Sequence, residues 1–451
     1  MTSDATLRAY AVADVPRYTS YPTAPHFHDG IGAAAYADWL AALPADDPVS
    51  VYLHIPFCRQ LCWYCGCHTT VPNTYERVAR HVGLLCREIA LVAERLGGAR
   101  PLTHLHFGGG SPSYLAATDF ARLMRRLGAV FDFQPTAELA IEVDPRELQA
   151  PQVAAMAEHG INRVSLGVQD VNEAVQRLIN RVQPLSQVAM AVETLRRAGI
   201  AGLNADLIYG LPGQTVAHAV RSAEAVAELG FDRIAVFGYA HVPWFKKHQK
   251  AIDASLLPGV DTRLAQAAAM AEILTRTGYV AIGLDHFARP DDAMARALLD
   301  GRLHRNFQGY TTDRARTLIG FGASAIGAMP SGYVQNEPHL GRYAERLLRG
   351  ELPVARGVAL TAGDRLRRLA IETVMCDMAI DLAATCRAAG EPETALDDAL
   401  PRLARLAADG LVEMDGRAVF VTRPGRRLVR HVAAAFDAYL DQGQARHSKA
   451  V

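Results

Sequence analysis

Residues 49–68 read VSVYLHIPFCRQLCWYCGCH. The first half, Val49–Phe57, is rich in β-branched, aliphatic and aromatic residues, and Pro56 closes it, so it predicts a buried β-strand. The second half holds Cys58, Cys62, Cys65 and Cys67 within ten residues, four of the seven cysteines in the chain. Cys86, Cys376 and Cys386 lie singly in helical patterns and read as small buried hydrophobes. An odd total with one tight cluster is not a disulfide framework. In an intracellular chain it points to metal or redox chemistry.

Outward from this stretch the same unit recurs. Strands are predicted at 102–107, 139–143, 163–168, 203–210 and 233–240, with 279–287 and 318–327 continuing the series. Amphipathic helices fall between them, such as SYLAATDFARLMRRLGAVF (113–131) and PLSQVAMAVETLRRAGI (184–200). Alternation of this kind specifies a parallel α/β sheet, open or closed into a barrel. Each strand runs into a polar or glycine-rich turn, and chemistry gathers at the carboxyl ends of such strands. The thiols follow the first strand, in that position. Beyond about residue 355 the pattern becomes helix, helix, a β-hairpin turning at Asp415-Gly416, then helix, an order that suits a winged-helix-like unit. The expected division is therefore an arm (1–45), a barrel with its extension (46–355) and a mainly helical C-terminal domain (356–451).

At 451 residues, half of them hydrophobic, the chain has ample material for two or three units. Lys+Arg and Asp+Glu balance at 47 each, which gives no electrostatic ground for nucleic-acid binding. The sequence MTSDATLRAY has no secretory pattern, and no apolar run has the length of a membrane span. A soluble, cytoplasmic chain without membrane or nucleic-acid partners is expected, and a monomer.

Two chemistries compete for C-x3-C-x2-C-x-C. Structural zinc usually brings two ligand pairs together, and no second pair exists here. An iron–sulfur cubane takes thiolates at separate corners, and this spacing lets one loop wrap three of them. The fourth iron then stays open to a small chelating molecule.

With Tyr64 in the aromatic slot of C-x-aromatic-C, and GGGSP (108–112) after the second strand, the chain resembles the radical S-adenosylmethionine superfamily. Further segments narrow the likeness: PRYTSYPTAPHF (16–27), IEVDPRE (141–147), LGVQD (166–170), NADLIYGLPGQT (204–215), FGYAHVP (237–243), GLDHFARPDD (283–292) and LHRNFQGYTT (303–312). Together they resemble the oxygen-independent coproporphyrinogen III oxidase (dehydrogenase) family over nearly the whole chain.

That resemblance implies a partial (β/α) barrel of about six parallel strands, of radical SAM type. It implies conversion of two propionates of coproporphyrinogen III into vinyl groups, giving protoporphyrinogen IX in heme biosynthesis. The cofactors it implies are one [4Fe-4S] cluster and two molecules of S-adenosylmethionine, with an unidentified electron donor and acceptor. The radical comes from the cofactor, so no side chain receives a catalytic role. Cys58, Cys62 and Cys65 would ligate the cluster, and Cys67 would not. Tyr52, Gly109, Glu142 and Ile326 match contacts of the cluster-bound S-adenosylmethionine. Tyr64, Gly110, Ser111, Gln169, Arg181, Asp206 and Ala240 match contacts of the second. The family usually has Phe at 64, Thr at 111 and Asn at 238, where this chain has Tyr, Ser and Gly. Arg17 and Arg305, each close to an aromatic ring, are candidates for holding the substrate's carboxylates.

The rival readings are a heme chaperone and a heme-opening radical methyltransferase of the same superfamily, and a winged-helix DNA regulator carrying a redox cluster. The arm and Cys67 favour the oxidase. GFGASA (320–325) lacks the acidic residue that a nicotinamide site needs. His104 and His106 share one face of a strand and read as polar packing.

Overall fold

A computed structural model describes residues 4–440. Numbered along the chain, its strands begin with β1 (Val49–Ile55), β2 (Arg100–Gly109), β3 (Phe131–Val143), β4 (Arg163–Gln169), β5 (Gly202–Tyr209) and β6 (Arg233–Gly238). Next come β7 (Val280–Ile282), β8 (His286–Ala288), β9 (His304–Asn306) and β10 (Gly309–Thr311). Then follow β11 (Thr317–Phe321), β12 (Ile326–Met329), β13 (Gly332–Asn336) and β14 (Val354–Ala359), and finally β15 (Ala379–Asp381), β16 (Val412–Asp415) and β17 (Ala418–Val421).

The chain divides into two compact units that interleave in sequence. One holds residues 27–206 and 313–359, the other 1–26, 207–312 and 360–451. The sequential division expected above, 1–45, 46–355 and 356–451, cuts the chain differently, because the arm up to residue 26 and the stretch 207–312 group with the C-terminal segment, while 27–45 group with the barrel strands. The extreme ends of the expected arm and C-terminal domain, 1–3 and 441–451, lie outside the described residues.

In the first of these units the strand order is β14-β13-β12-β11-β1-β2-β3-β4. Pairing is parallel from β11 through β4 and antiparallel from β11 out to β14. β1 is buried along almost its whole length, the mark of a parallel strand covered on both faces. The helix Glu76–Leu96 buries Val78, Val82, Leu85, Ile89, Val92 and Leu96, one apolar stripe at helical spacing. It stops at Gly97, whose φ of 66° suits glycine at a helix end. Helices Ala117–Gly128, Ala150–Glu158 and Leu185–Arg197 fill the later crossovers. The predicted strand 318–327 is two strands, β11 and β12, broken after Gly322, whose φ is 100°.

The second unit carries β6-β8-β7, with β8 antiparallel to both neighbours. The predicted strand 279–287 is therefore a broken pair. It breaks at Gly283, φ 53°, where a Cβ would come within 1.9 Å of the Tyr310 ring. LHRNFQGYTT folds as the hairpin β9–β10, with Phe307 and Gln308 at its tip. The C-terminal segment gives helix Ala362–Asp377, β15, helices Leu382–Ala388 and Leu400–Ala408, the hairpin β16–β17 and helix Val429–Ala434. The hairpin turns at Gly416, as its Asp-Gly pair predicts, and β15 adds a third strand along β17.

Candidate active site

The thiol loop leaves β1 and is clasped at its base. Thr70 N donates to Pro56 O (3.0 Å) and Cys58 N to Thr70 O (3.0 Å). Its middle is pinned to the turn after helix Glu173–Leu178: Trp63 N donates to Ile179 O (3.0 Å) and Asn180 Nδ2 to Leu61 O (2.9 Å). Cys65 N reaches back to Cys62 O (3.2 Å), which makes the C-W-Y-C segment one tight turn. Cys58 Sγ lies 3.2 Å from Thr69 Oγ1. Cys62 Sγ accepts from Arg181 Nη1 (3.5 Å) and Arg146 Nη2 (3.6 Å), so two cations face one sulfur. Cys67 is exposed and hydrogen-bonds with Cys65.

Glycines 108–110 pack against this loop and the flanking strands. A Cβ on Gly108 would lie 2.8 Å from Glu142 Oε1 and 2.9 Å from the Tyr52 ring. One on Gly110 would lie 2.5 Å from Thr69 Oγ1 and 2.6 Å from Phe57 O. Tyr52, midway along β1, and Glu142, near the end of β3, thus meet over Gly108, next to Gly109 at the end of β2. Gly109 N donates to Glu142 Oε2 (3.3 Å), and His106 Nε2 is 3.0 Å from Glu142 Oε1. His54 Nε2 donates to His68 O (2.8 Å), which leaves Nδ1 to accept from the Tyr52 hydroxyl (3.1 Å). Ile326 joins through Gly320, the register partner of Tyr52, whose Cβ would lie 2.7 Å from Ile326 O.

A second grouping surrounds Arg181, which is 6% exposed. It donates to Gly167 O (2.7 Å) and Asp144 Oδ2 (2.9 Å) as well as to Cys62. Burial opposes ionisation of Asp144, but Arg181 and Arg146 overcome it and hold the carboxyl below its usual range. Gln169 ends β4 at φ 67°, an uncommon conformation for a residue with a side chain. The Ser111 hydroxyl is taken up by Ser113 Oγ (2.9 Å), inside the loop. Burial, reinforced by Glu142, raises Asp206 to about 7. Ala240 follows β6 and belongs to the other unit. In that unit Arg305 Nη2 reaches Arg17 O (3.4 Å), so the two substrate candidates meet.

Residues 52–226 match the Radical SAM superfamily. The chain is 52% identical over 444 residues to the oxygen-independent coproporphyrinogen III oxidase of Bradyrhizobium diazoefficiens, covering 98% of each. It is 41% identical to the Escherichia coli enzyme of that name, covering 95% of this chain and 93% of the relative. The chain belongs to the oxygen-independent coproporphyrinogen III oxidase family. A solved structure described as coproporphyrinogen III oxidase from Escherichia coli, a radical SAM enzyme, superposes on it with a TM-score of 0.90 at 38% identity. It covers 95% of this chain and 100% of the other.

Radical SAM enzymes, this oxidase family among them, use a [4Fe-4S] cluster and S-adenosylmethionine. The donor set here fits such a group. Three thiols come from one clasped loop, and the guanidiniums of Arg181 and Arg146 face the Cys62 sulfur. Among the described residues no three His, Cys, Asp or Glu side chains converge to hold a single metal ion. A cubane takes each thiolate at its own corner. Reading the sequence missed Asp144, Arg146 and His54, and gave His106 a part in polar packing only. IEVDPRE contains the first pair, yet nothing in the spacing showed that its arginine reaches Cys62. His104 and His106 carried a signal in their alternation: they pair with Glu138 (3.5 Å) and Glu142 (3.0 Å) on β3.

Proposed function

We propose that this chain is the oxidoreductase that decarboxylates two propionate side chains of coproporphyrinogen III to vinyl groups. The observation that carries the reading is family membership across nearly the full length, arm and C-terminal segment included. Each propionate loses carbon dioxide together with one hydrogen atom and one electron. An electron donor and a final acceptor are therefore needed. The cluster and S-adenosylmethionine, when bound, supply the hydrogen-abstracting chemistry that no side chain can.

The chain's own residues bind and orient. Cys58, Cys62 and Cys65 hold the cluster, and Cys67 serves as a neighbour of Cys65. Tyr52, Gly109, Glu142 and Ile326 seat the cluster-bound S-adenosylmethionine, with His106 and His54 fixing the Glu142 and Tyr52 side chains. Tyr64, Gly110, Ser111, Gln169, Arg181, Asp206 and Ala240 seat a second molecule. A carboxyl that titrates near 7, as Asp206 does, can accept or share a proton with an amine or hydroxyl. Arg17 and Arg305 hold substrate carboxylates. The enzyme acts as a cytoplasmic monomer, apart from membrane and nucleic acid.

The test is anaerobic reconstitution with iron and sulfide, followed by incubation with coproporphyrinogen III, S-adenosylmethionine and a reductant. The expected product, after oxidation, is protoporphyrin with a three- then two-carboxylate progression. A ring-opened tetrapyrrole, or heme bound with no vinyl product, would sink the reading.

A further inference from the structure

The unit built from 1–26, 207–312 and 360–451 holds a cavity of about 770 Å³. That is toward the upper end of the roughly 300–1,000 Å³ of ligand pockets. Five arginines line it, Arg17, Arg263, Arg305, Arg427 and Arg430, against two aspartates, Asp14 and Asp285. Backbone carbonyls hold three of these guanidiniums. Arg263 Nη2 donates to Tyr239 O (2.8 Å), Arg430 Nη1 to Val15 O (3.3 Å) and Arg427 Nη1 to Leu264 O (3.5 Å). A carbonyl fixes a guanidinium in place without cancelling its charge. Arg305 keeps Nε and Nη1 buried without a hydrogen-bond partner, and Arg263 keeps Nε so. Burial, with the like charge of Arg17, lowers Arg430 to about 10, and burial also lowers Arg263 and Arg427. Arg430 is buried and Arg263, Arg305 and Arg427 are half-buried, and cations so placed are stabilised when carboxylates reach them.

The remaining wall joins aliphatic side chains to the rings of Tyr209, Phe237, Tyr239, Phe307 and Trp244, the last 58% exposed. Gly210, at φ 81°, leaves room for Arg263, since a Cβ there would lie 2.5 Å from its Nη1. Arg305 is held over the Tyr310 ring at 4.5 Å. The cavity thus joins excess fixed positive charge to ring-sized apolar faces.

We infer that this cavity is the seat of a cyclic polycarboxylate, in which Arg263 and Arg427 join Arg17 and Arg305 in counting its carboxylates. The inference rests on the reading under Proposed function and adds the residues that would select a four-carboxylate ring. A ligand with one carboxylate would leave most of these arginines unanswered.

Coproporphyrin III, the air-stable tetracarboxylate of the same skeleton, serves as the probe. It is titrated into the reconstituted full-length protein and followed by fluorescence. Two-carboxylate mesoporphyrin and coproporphyrin tetramethyl ester run in parallel. Wild type should bind them in the order tetracarboxylate, dicarboxylate, ester. Arg263→Gln and Arg427→Gln should each weaken coproporphyrin by roughly tenfold to a hundredfold, the size of a lost charge-assisted hydrogen bond. Ester binding should not change, and Arg→Lys should restore part of the loss. Iron content and melting temperature report folding, and the lysine variants stand in should a glutamine variant fail to fold. Equal losses for acid and ester, no loss at all, or an ester that binds as tightly as the acid would each overturn the inference. Charge-selective binding without vinyl product would sink the proposed reaction and leave the cavity assignment standing. Vinyl product with unaltered variant binding would do the reverse.

Discussion

Gly110 shows how little freedom the site leaves a single residue. Its absent Cβ would meet Phe57 O at 2.6 Å, and a backbone oxygen cannot swing away as a side chain can. Gly110→Ala should therefore displace the clasp beneath the thiols and cost about 1–3 kcal/mol, read as a lower melting temperature with reduced iron content. An alanine variant with wild-type melting and iron would show that the loop yields freely. In sequence Gly109 and Gly110 match contacts of S-adenosylmethionine; in the structure the protein's own Glu142, Tyr52, Thr69 and Phe57 also crowd positions 108 and 110. The cysteines divide at the same scale. Serine at 58, 62 or 65 should abolish the visible chromophore after anaerobic reconstitution, whereas Cys67→Ser should retain it. Loss of colour with Cys67→Ser and retention with Cys65→Ser would reverse the ligand assignment.

Legibility differed from element to element, for physical reasons. The strands β1 to β6 each announce themselves by an apolar run ending in a polar turn: β1 is buried along nearly its whole length, while β4 and β5 bury every second residue. The stretch 279–287 has the same composition, yet Gly283 and the Tyr310 ring break it, a contact between residues 27 apart that no local pattern carries. β15, at three residues, is too short to leave a period. Glu88 is another long-range case. It sits on the helix Glu76–Leu96 and accepts from Gly322 N (2.8 Å), Asn336 Nδ2 (2.6 Å) and Tyr343 Oη (2.5 Å). It thereby ties that helix to the ends of β11 and β13. Burial raises its carboxyl from 4.5 to about 7, although all three donors pull the other way. The folded chain holds this proton more tightly than the unfolded chain does. The stability it contributes is therefore complete below pH 4.5 and is lost as pH rises through about 7. Relative to Glu88→Gln, which cannot titrate, wild type should lose roughly 2–3 kcal/mol between about pH 5 and pH 8. Anaerobic urea midpoints across that range would reveal it, and a pH-independent difference would mean that Glu88 titrates as an ordinary surface acid.

Across the molecule, chain order and spatial grouping part company. The order of motifs reads arm, barrel, helical domain, but the arm up to residue 26 is built into the same unit as the chain's other end. Tyr10 Oη donates to Asp409 Oδ2 (2.5 Å), His431 Nε2 to Tyr10 O (2.8 Å) and Ala438 N to Tyr21 Oη (2.9 Å). Sequence could not supply these pairings, since they join residues about 400 positions apart whose local patterns are unremarkable. Tyr18 is the most constrained of them. It holds a left-handed backbone at φ 48°, which costs a bulky side chain about 1–3 kcal/mol. Its hydroxyl donates to Asp437 Oδ2 at 2.9 Å, and both side chains are buried. Burial keeps the phenol protonated, so the donor persists at any pH the fold survives. Tyr18→Phe removes that donor, leaves the aspartate short of a partner and keeps the strained backbone. A loss of about 1–3 kcal/mol should follow. Because Arg17 and Thr19 flank it in the wall of the arginine-lined cavity, the consequence should be local before it is global. The arm should be cut by trypsin about tenfold or more faster, at Arg17 first, while the iron content stays near wild type. Digestion under anaerobic conditions, with fragments weighed by mass spectrometry, decides the matter: an unchanged cleavage rate would mean that the hydroxyl does not hold the arm.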